Sequence, residues 1–133
     1  FTLKSAAGAN LRLNEQRGQV VMVNFWATWC GPCRQELPHL NRLHEAYKKA
    51  GFTMLGVNID SNPQLAIDLA QRLGVSFPVL LDTNKAVVTA YDLRDMPATV
   101  LIDRDGRVRH IYRGYKDGVE QTYEQHLRAL LKE

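Results

Sequence analysis

The stretch Val20-Val21-Met22-Val23-Asn24-Phe25-Trp26-Ala27-Thr28-Trp29-Cys30-Gly31-Pro32-Cys33-Arg34-Gln35-Glu36-Leu37-Pro38-His39-Leu40 decides how the rest of the chain is read. Its first seven residues are apolar except for Asn24, the pattern of a central strand covered on both faces. A tight turn carrying two cysteines follows, and then the start of a helix. Two thiols separated by two residues on a first helical turn lie close enough to form a disulfide with little backbone movement. The turn can therefore alternate between dithiol and disulfide.

Position supplies the chemistry. A thiolate at a helix N-terminus sits among unpaired backbone N–H groups and the positive end of the macrodipole, which favours the charged form. Cysteines in such motifs have a pKa lowered from about 8.5 to roughly 3.5–7.5. Cys30, the earlier and more exposed residue, is expected to attack a partner's disulfide, and Cys33, one turn in, to resolve the mixed disulfide. Gly31 allows another chain to approach closely, and Pro32 suits a helix start, where its missing N–H would be unpaired anyway.

Two blander readings compete. A zinc site needs about four ligands; the chain has two cysteines, and none of His39, His44, His110 and His126 forms a pair at ligand spacing. A structural disulfide across so short a loop gives little entropic stabilisation, because that gain grows with loop length. Redox chemistry is the stronger reading, with no metal and no cofactor beyond the Cys30–Cys33 pair itself.

The segment Phe25-Trp26-Ala27-Thr28-Trp29-Cys30-Gly31-Pro32-Cys33, with Pro38 five residues beyond the second cysteine, resembles the active-site segment of the thioredoxin superfamily. Further features narrow the resemblance to the TlpA/ResA type, thioredoxin-like reductases that work outside the cytoplasm and are usually tethered to a membrane.

With 133 residues, 45% of them apolar, the chain is expected to form one domain, 1–133, large enough for a single core. A net charge of +3, with Lys and Arg scattered among Asp and Glu, gives no phosphate-tracking stripe and argues against nucleic-acid binding. No apolar run approaches the ~20 residues of a membrane span, and no signal peptide is read. An anchor, if the family's pattern holds, lies outside these residues.

Ahead of the strand, Phe1-Thr2-Leu3-Lys4 and Asn10-Leu11-Arg12-Leu13 alternate around Ala7-Gly8-Ala9, which predicts a hairpin at a sheet edge. TlpA-type proteins carry a similar hairpin. Asn24 stands where thioredoxins proper usually have a buried aspartate able to take a proton from the second thiol. Asparagine cannot do so, and its simplest reading is a buried hydrogen-bonding position. The helix expected from Cys33 to about Ala50 places Leu37, Leu40, Leu43 or His44, and Tyr47 on one face, with Gly51 as its stop and a kink at Pro38. Arg34 and Glu36 flank the active turn and read as solvated charges; His39 and His44 read as surface or edge residues.

Phe52–Ile59 is a second core strand, parallel to the first across a βαβ crossover. The carboxyl ends of both strands then share one sheet edge, where open α/β folds place their sites. Asp60 stands at that end. It is a candidate for the proton handling that Asn24 cannot perform, directly or through water, against the alternative that Asp60-Ser61-Asn62-Pro63 is a helix-capping turn. A helix over Pro63–Leu73 with Leu65, Ala66, Leu69 and Leu73 on its inner face, a short strand in Phe77–Leu81 and a helix over Lys85–Tyr91 follow. The extra strand and helix match the insertion that separates the TlpA type from thioredoxin.

Pro97 opens a strand over Ala98–Ile102, which alone implies only an entry position. The resemblance implies more: Pro97 matches the cis-proline facing the cysteines, and with Met96, Trp29, Gly31 and Pro32 it would form the groove that binds a partner's backbone. Asp105-Gly106 predicts a hairpin to Val108–Tyr112. A last helix, capped by Asp117, carries Val119, Tyr123, Leu127, Leu130 and Leu131 as its core stripe. His110 and His126 have no constellation around them in the sequence and read as structural or surface residues.

The expected fold is thus α/β and thioredoxin-like: a mixed central sheet flanked by helices, with an N-terminal hairpin and a central strand–helix insertion. The resemblance implies a protein-disulfide reductase, periplasmic or otherwise extracytoplasmic. Its implied partners are an oxidised exported protein, such as one awaiting haem attachment, and a membrane thiol donor, each met through a transient mixed disulfide. An active turn that must meet many partners favours a monomer. The rival readings are an oxidase or isomerase on the same scaffold, and a redox-switched binding module or electron-transfer domain of a larger redox protein.

Overall fold

The computed structural model describes residues 1–133. In chain order the elements are β1 (Thr2–Ser5), β2 (Asn10–Arg12), β3 (Val20–Trp26), α1 (Gly31–Tyr47), β4 (Phe52–Asn58), α2 (Pro63–Arg72), β5 (Val79–Leu81), α3 (Ala86–Ala90), β6 (Ala98–Ile102), β7 (Val108–Arg113) and α4 (Val119–Leu131). The strands form one mixed sheet in the order β2-β1-β5-β4-β3-β6-β7, the thioredoxin-like architecture expected. β3 and β4 are parallel, and β5 adds to β4 in parallel on the far side. β6 runs antiparallel to β3, β7 antiparallel to β6, and the N-terminal hairpin closes the other edge through β1 on β5.

Every residue of β3 is buried, as its apolar run requires. The period of two along this strand sorts the two faces of the sheet. Asn24 meets Glu36 of α1, whose other oxygen meets Tyr123 of α4, so these two helices cover one face. Phe25 points the other way and meets Tyr91 at the end of α3, with ring centroids 5.7 Å apart. The core between these layers is one contiguous cluster of 33 buried residues. Gly56 in β4 is fixed by packing: a Cβ there would come within 2.6 Å of the Phe77 ring.

Several local readings change. α1 begins at Gly31, two residues before the expected start, because Cys30 itself is its N-cap. Its end tightens into a 3-10 turn over Lys48–Ala50, stopped by Gly51 at φ +98°. Asn62 caps α2, its Oδ1 accepting from the Gln64 N–H, so the capping reading of the Asp60–Pro63 turn belongs to Asn62. On α2 the buried residues are Ala66, Leu69 and Ala70, whereas Leu65 is 49% exposed. The insertion is tied to α1 by Asn41, which donates to the Gly74 carbonyl and accepts from the Ser76 N–H.

Asp117 does not cap α4; the cap position is Gly118 in the left-handed region, with no side-chain hydrogen bond. His110 and His126 are brought together by the packing of α4 on β7, their rings stacked with centroids 3.9 Å apart and the Tyr112 hydroxyl bonded to His126 Nδ1 at 2.6 Å. That constellation joins residues from two elements and has no local sequence signal. β7 pairs only with β6 and leaves Val108 and Ile111 exposed at the sheet's edge.

Candidate active site

The β3–β4 ladder ends at the pair Trp26 and Asn58, so both chains leave the sheet at the same edge. From Trp26 the chain turns through Ala27–Trp29, with the Cys30 N–H donating to the Ala27 carbonyl at 3.2 Å, and enters α1. Cys30 and Cys33 are joined by a disulfide, with Cα atoms 5.3 Å apart. The Cys30 sulfur also accepts from the Cys33 N–H at 3.2 Å, one of the donors left free by the helix start. The sulfur of the capping cysteine therefore already occupies the position where a thiolate would be stabilised.

Access differs between the two. Cys30 is 6% exposed and Cys33 1%, the order expected from the sequence, although both are largely shielded. Trp29 beside them is 64% exposed, an unusual amount of open indole. A Cβ added to Gly31 would meet nothing within 4 Å, so the space outside the turn is open to another chain. Pro32 is exposed in the first turn of α1. Pro97 lies across the ladder beside Trp26, one position beyond the Phe25–Ala98 pair, and the Met96–Pro97 bond is cis. Its carbonyl accepts from the Gly114 N–H, and Met96 is half-buried next to it. The expected groove residues Trp29, Gly31, Pro32, Met96 and Pro97 thus come from the turn and from the adjoining strand entrance.

Asp60, 4% exposed, is the latch of the turn. Its carboxyl accepts from the Thr28 N–H at 2.9 Å, the Thr28 hydroxyl at 2.7 Å and the Asn58 amide at 2.7 Å. The end of β4 is thereby fastened to the segment just before Cys30. These contacts go to the turn's backbone and side chains, and none of them goes to a sulfur.

Glu36 corrects the sequence reading. Expected as a solvated charge, it is fully buried. It lies one turn beyond Cys33 on the same face of α1, where residues three apart are neighbours. Its Oε1 accepts from Asn24 Nδ2 at 2.7 Å and its Oε2 from the Tyr123 hydroxyl at 2.9 Å. Asn24 also donates to the Thr99 hydroxyl of β6 at 2.9 Å. Burial raises Glu36 from the usual 4.5 to about 7, with the Tyr123 and Asn24 hydrogen bonds pulling the other way and the Glu120 charge pushing further up. The asparagine that cannot hold a proton is therefore hydrogen-bonded to a carboxyl that can. The sequence carried a signal for this: Cys33, Glu36, Leu37 and Leu40 share one helical stripe, and a polar Asn24 in a buried strand needs a partner.

No group of three or more His, Cys, Asp or Glu side chains converges as metal ligands would. No helix is long and apolar enough to cross a membrane.

A model of the Redoxin family matches residues 1–127. The thiol-disulfide oxidoreductase ResA of Geobacillus kaustophilus is 38% identical over 131 residues, spanning 98% of this chain and 74% of that protein. ResA of Bacillus subtilis is 34% identical over 114 residues, spanning 86% of this chain and 64% of that protein. A solved structure from Chlorobium tepidum, assigned as a thiol:disulfide interchange protein DsbE, superposes with a TM-score of 0.94 at 34% identity, covering 98% of this chain and 92% of its own.

Proposed function

Because the chain belongs to the Redoxin family and is a ResA-like thiol-disulfide oxidoreductase, we propose that its 133 residues form a single reductase domain acting on disulfides of exported proteins. The observation that carries this reading is the disulfide at the start of α1, with its sulfur on a helix N–H and a buried carboxyl one turn below it.

In the reduced protein Cys30, as thiolate, attacks one sulfur of the partner's disulfide. A Cys30–partner bond forms, and the partner's other sulfur leaves as a thiolate that takes up a proton. Cys33 then loses its proton to the Glu36 carboxylate and attacks Cys30. The Cys30–Cys33 disulfide forms, and the partner's second sulfur departs, so that two electrons have passed to the partner. Glu36 suits this step because its proton affinity lies near neutral pH. In this reading Asp60 positions the turn and Glu36 handles the proton. Trp29, Gly31, Pro32, Met96 and Pro97 receive the partner's backbone.

The resemblance to ResA supports an extracytoplasmic setting, a membrane thiol donor and, as substrate class, the cysteine pair of a protein awaiting haem attachment, while an active turn that must meet many partners favours a monomer. No cofactor beyond the Cys30–Cys33 pair enters the cycle. Gly31-Pro32 between the cysteines resembles thioredoxin, whose potential is about −270 mV.

Equilibration with thiol buffers tests the direction. A potential near or below about −250 mV is expected of a reductant, and one above about −180 mV would make the protein an oxidase or isomerase. The Cys33→Ser variant should accumulate a mixed disulfide between Cys30 and an oxidised Cys-x-x-Cys-His peptide. No adduct would overturn the substrate class.

A further inference from the structure

Both donors to Glu36 are backed by the pair of strands at the sheet's edge. Asn24, Thr99 and Tyr112 lie opposite one another across β3, β6 and β7, so their side chains stand in a row on the face that α1 and α4 cover. Thr99 accepts the second hydrogen bond of the Asn24 amide and so fixes the first donor. Tyr112 stands behind the second: its ring meets that of Tyr123 edge to face, with centroids 4.6 Å apart and planes at 62°.

A tyrosine oxygen lies in the plane of its ring, so the tilt of the ring decides where the hydroxyl can reach. Tyr123 is sealed from solvent, and its hydroxyl meets Glu36 Oε2 at 2.9 Å. Tyr112, half-buried against it, is anchored at its own hydroxyl, 2.6 Å from His126 Nδ1. An imidazole protonated at Nε2 accepts this bond at Nδ1. Burial raises Tyr112 to about 12, so it keeps its hydroxyl proton through the neutral range. His110 steadies the His126 ring in turn, stacked on it with planes 6° apart. Contact therefore follows contact from the edge strand to the buried acid: His126 to Tyr112, Tyr112 to Tyr123, Tyr123 to Glu36.

Resting on the reading of Glu36 as the proton acceptor, we propose that Tyr112 and His126 are positioning residues for it, holding the Tyr123 ring at the tilt from which its hydroxyl reaches Glu36. They act on the reaction only through Tyr123. When the hold is lost, the Glu36 carboxylate loses a donor and its proton affinity rises. The charged and titratable groups facing this chain of contacts are His110 and Arg109 from β7, Glu120 from α4 and Tyr115 from the loop before it. All of them are retained in the variants that test it.

The test follows the Glu36 carboxyl carbon by NMR in the full chain labelled with 13C-glutamate, titrated in the reduced state. Tyr112→Phe keeps the ring and removes its anchor; the Glu36 midpoint should move up by about half a pH unit, a roughly threefold rise in proton affinity. His126→Leu should give the same shift. His126→Asn, which keeps an acceptor at the place of Nδ1, should restore the original curve. In a Tyr123→Phe background, Tyr112→Phe should add nothing, because no hydroxyl is left to aim. A Tyr112→Phe curve superimposable on that of the unmodified protein, or a further shift in the double variant, would overturn the positioning role. Equal shifts in His126→Leu and His126→Asn would remove His126 from it. Glu36→Gln separates this idea from the one beneath it. If that variant keeps the pH profile of disulfide exchange while Tyr112→Phe still moves the Glu36 curve, the proton-acceptor reading fails and the positioning of Glu36 stands.

Discussion

Two buried carboxyls lie near the redox turn, and they differ in what surrounds them. Asp60 accepts three hydrogen bonds, one from a backbone N–H, and each ties it to the turn or to the end of β4. Glu36 accepts two, both from neutral side chains, and is otherwise walled by the core. A carboxyl supplied with many fixed donors is a fastener. One held by few donors in a dry setting has its charged form penalised, and its proton becomes exchangeable near neutral pH. Burial alone therefore does not tell a structural acid from a chemical one; the number and kind of donors does.

The largest expected effect comes from Glu36→Gln. The folded protein keeps the Glu36 proton up to about pH 7, whereas the unfolded chain loses it near 4.5. Folding stability should therefore fall as pH rises through that window, by on the order of 3 kcal/mol. Glu36→Gln should flatten this dependence, because the Tyr123 hydroxyl can turn to accept from the new amide. Urea unfolding at about pH 5 and about pH 8 measures it, and an unchanged slope would place Glu36 with Asp60 as a fastener.

Asp60→Ala comes next. It leaves the Thr28 N–H, the Thr28 hydroxyl and the Asn58 amide without their acceptor, at a cost of about 2 kcal/mol. That loss should be similar at both pH values. Disulfide exchange should slow through a loosened turn while its pH midpoint stays fixed; a moved midpoint would return proton handling to Asp60.

The smallest effect belongs to Tyr123→Phe, which removes one donor from Glu36 at about 1 kcal/mol. Since that hydrogen bond lowers the Glu36 value, its loss should move the exchange midpoint to higher pH. A midpoint moved down would mean that the donor count is the wrong criterion.

These contrasts also explain what could be read from the sequence. The Cys30–Cys33 turn, the hairpin ahead of β3 and the insertion after β4 depend on residues close in sequence, and the structure bears them out. Asp60 was visible because the end of a parallel strand marks a sheet edge before any side chain is placed. Glu36 was not, because a charged residue near a helix start looks solvated until Asn24 and Tyr123 are brought to it from 12 positions before and 87 after. The His110–His126 stack likewise needs α4 to settle on β7. The cap of α4 failed for a smaller reason: Gly118 takes up the left-handed conformation one residue beyond Asp117.

The far edge of the sheet has a consequence for solubility. β7 is an open strand end to end, with two β-branched side chains bared, the type of edge on which a second copy could add a strand and begin aggregation. Arg109 and Arg113 lie within that strand and Arg107 just before it, and Arg109 is further braced by Asp103 and Glu133. Strand addition would have to strip water from these guanidinium groups. The edge is thereby guarded by charge, which works against strand addition by a second copy.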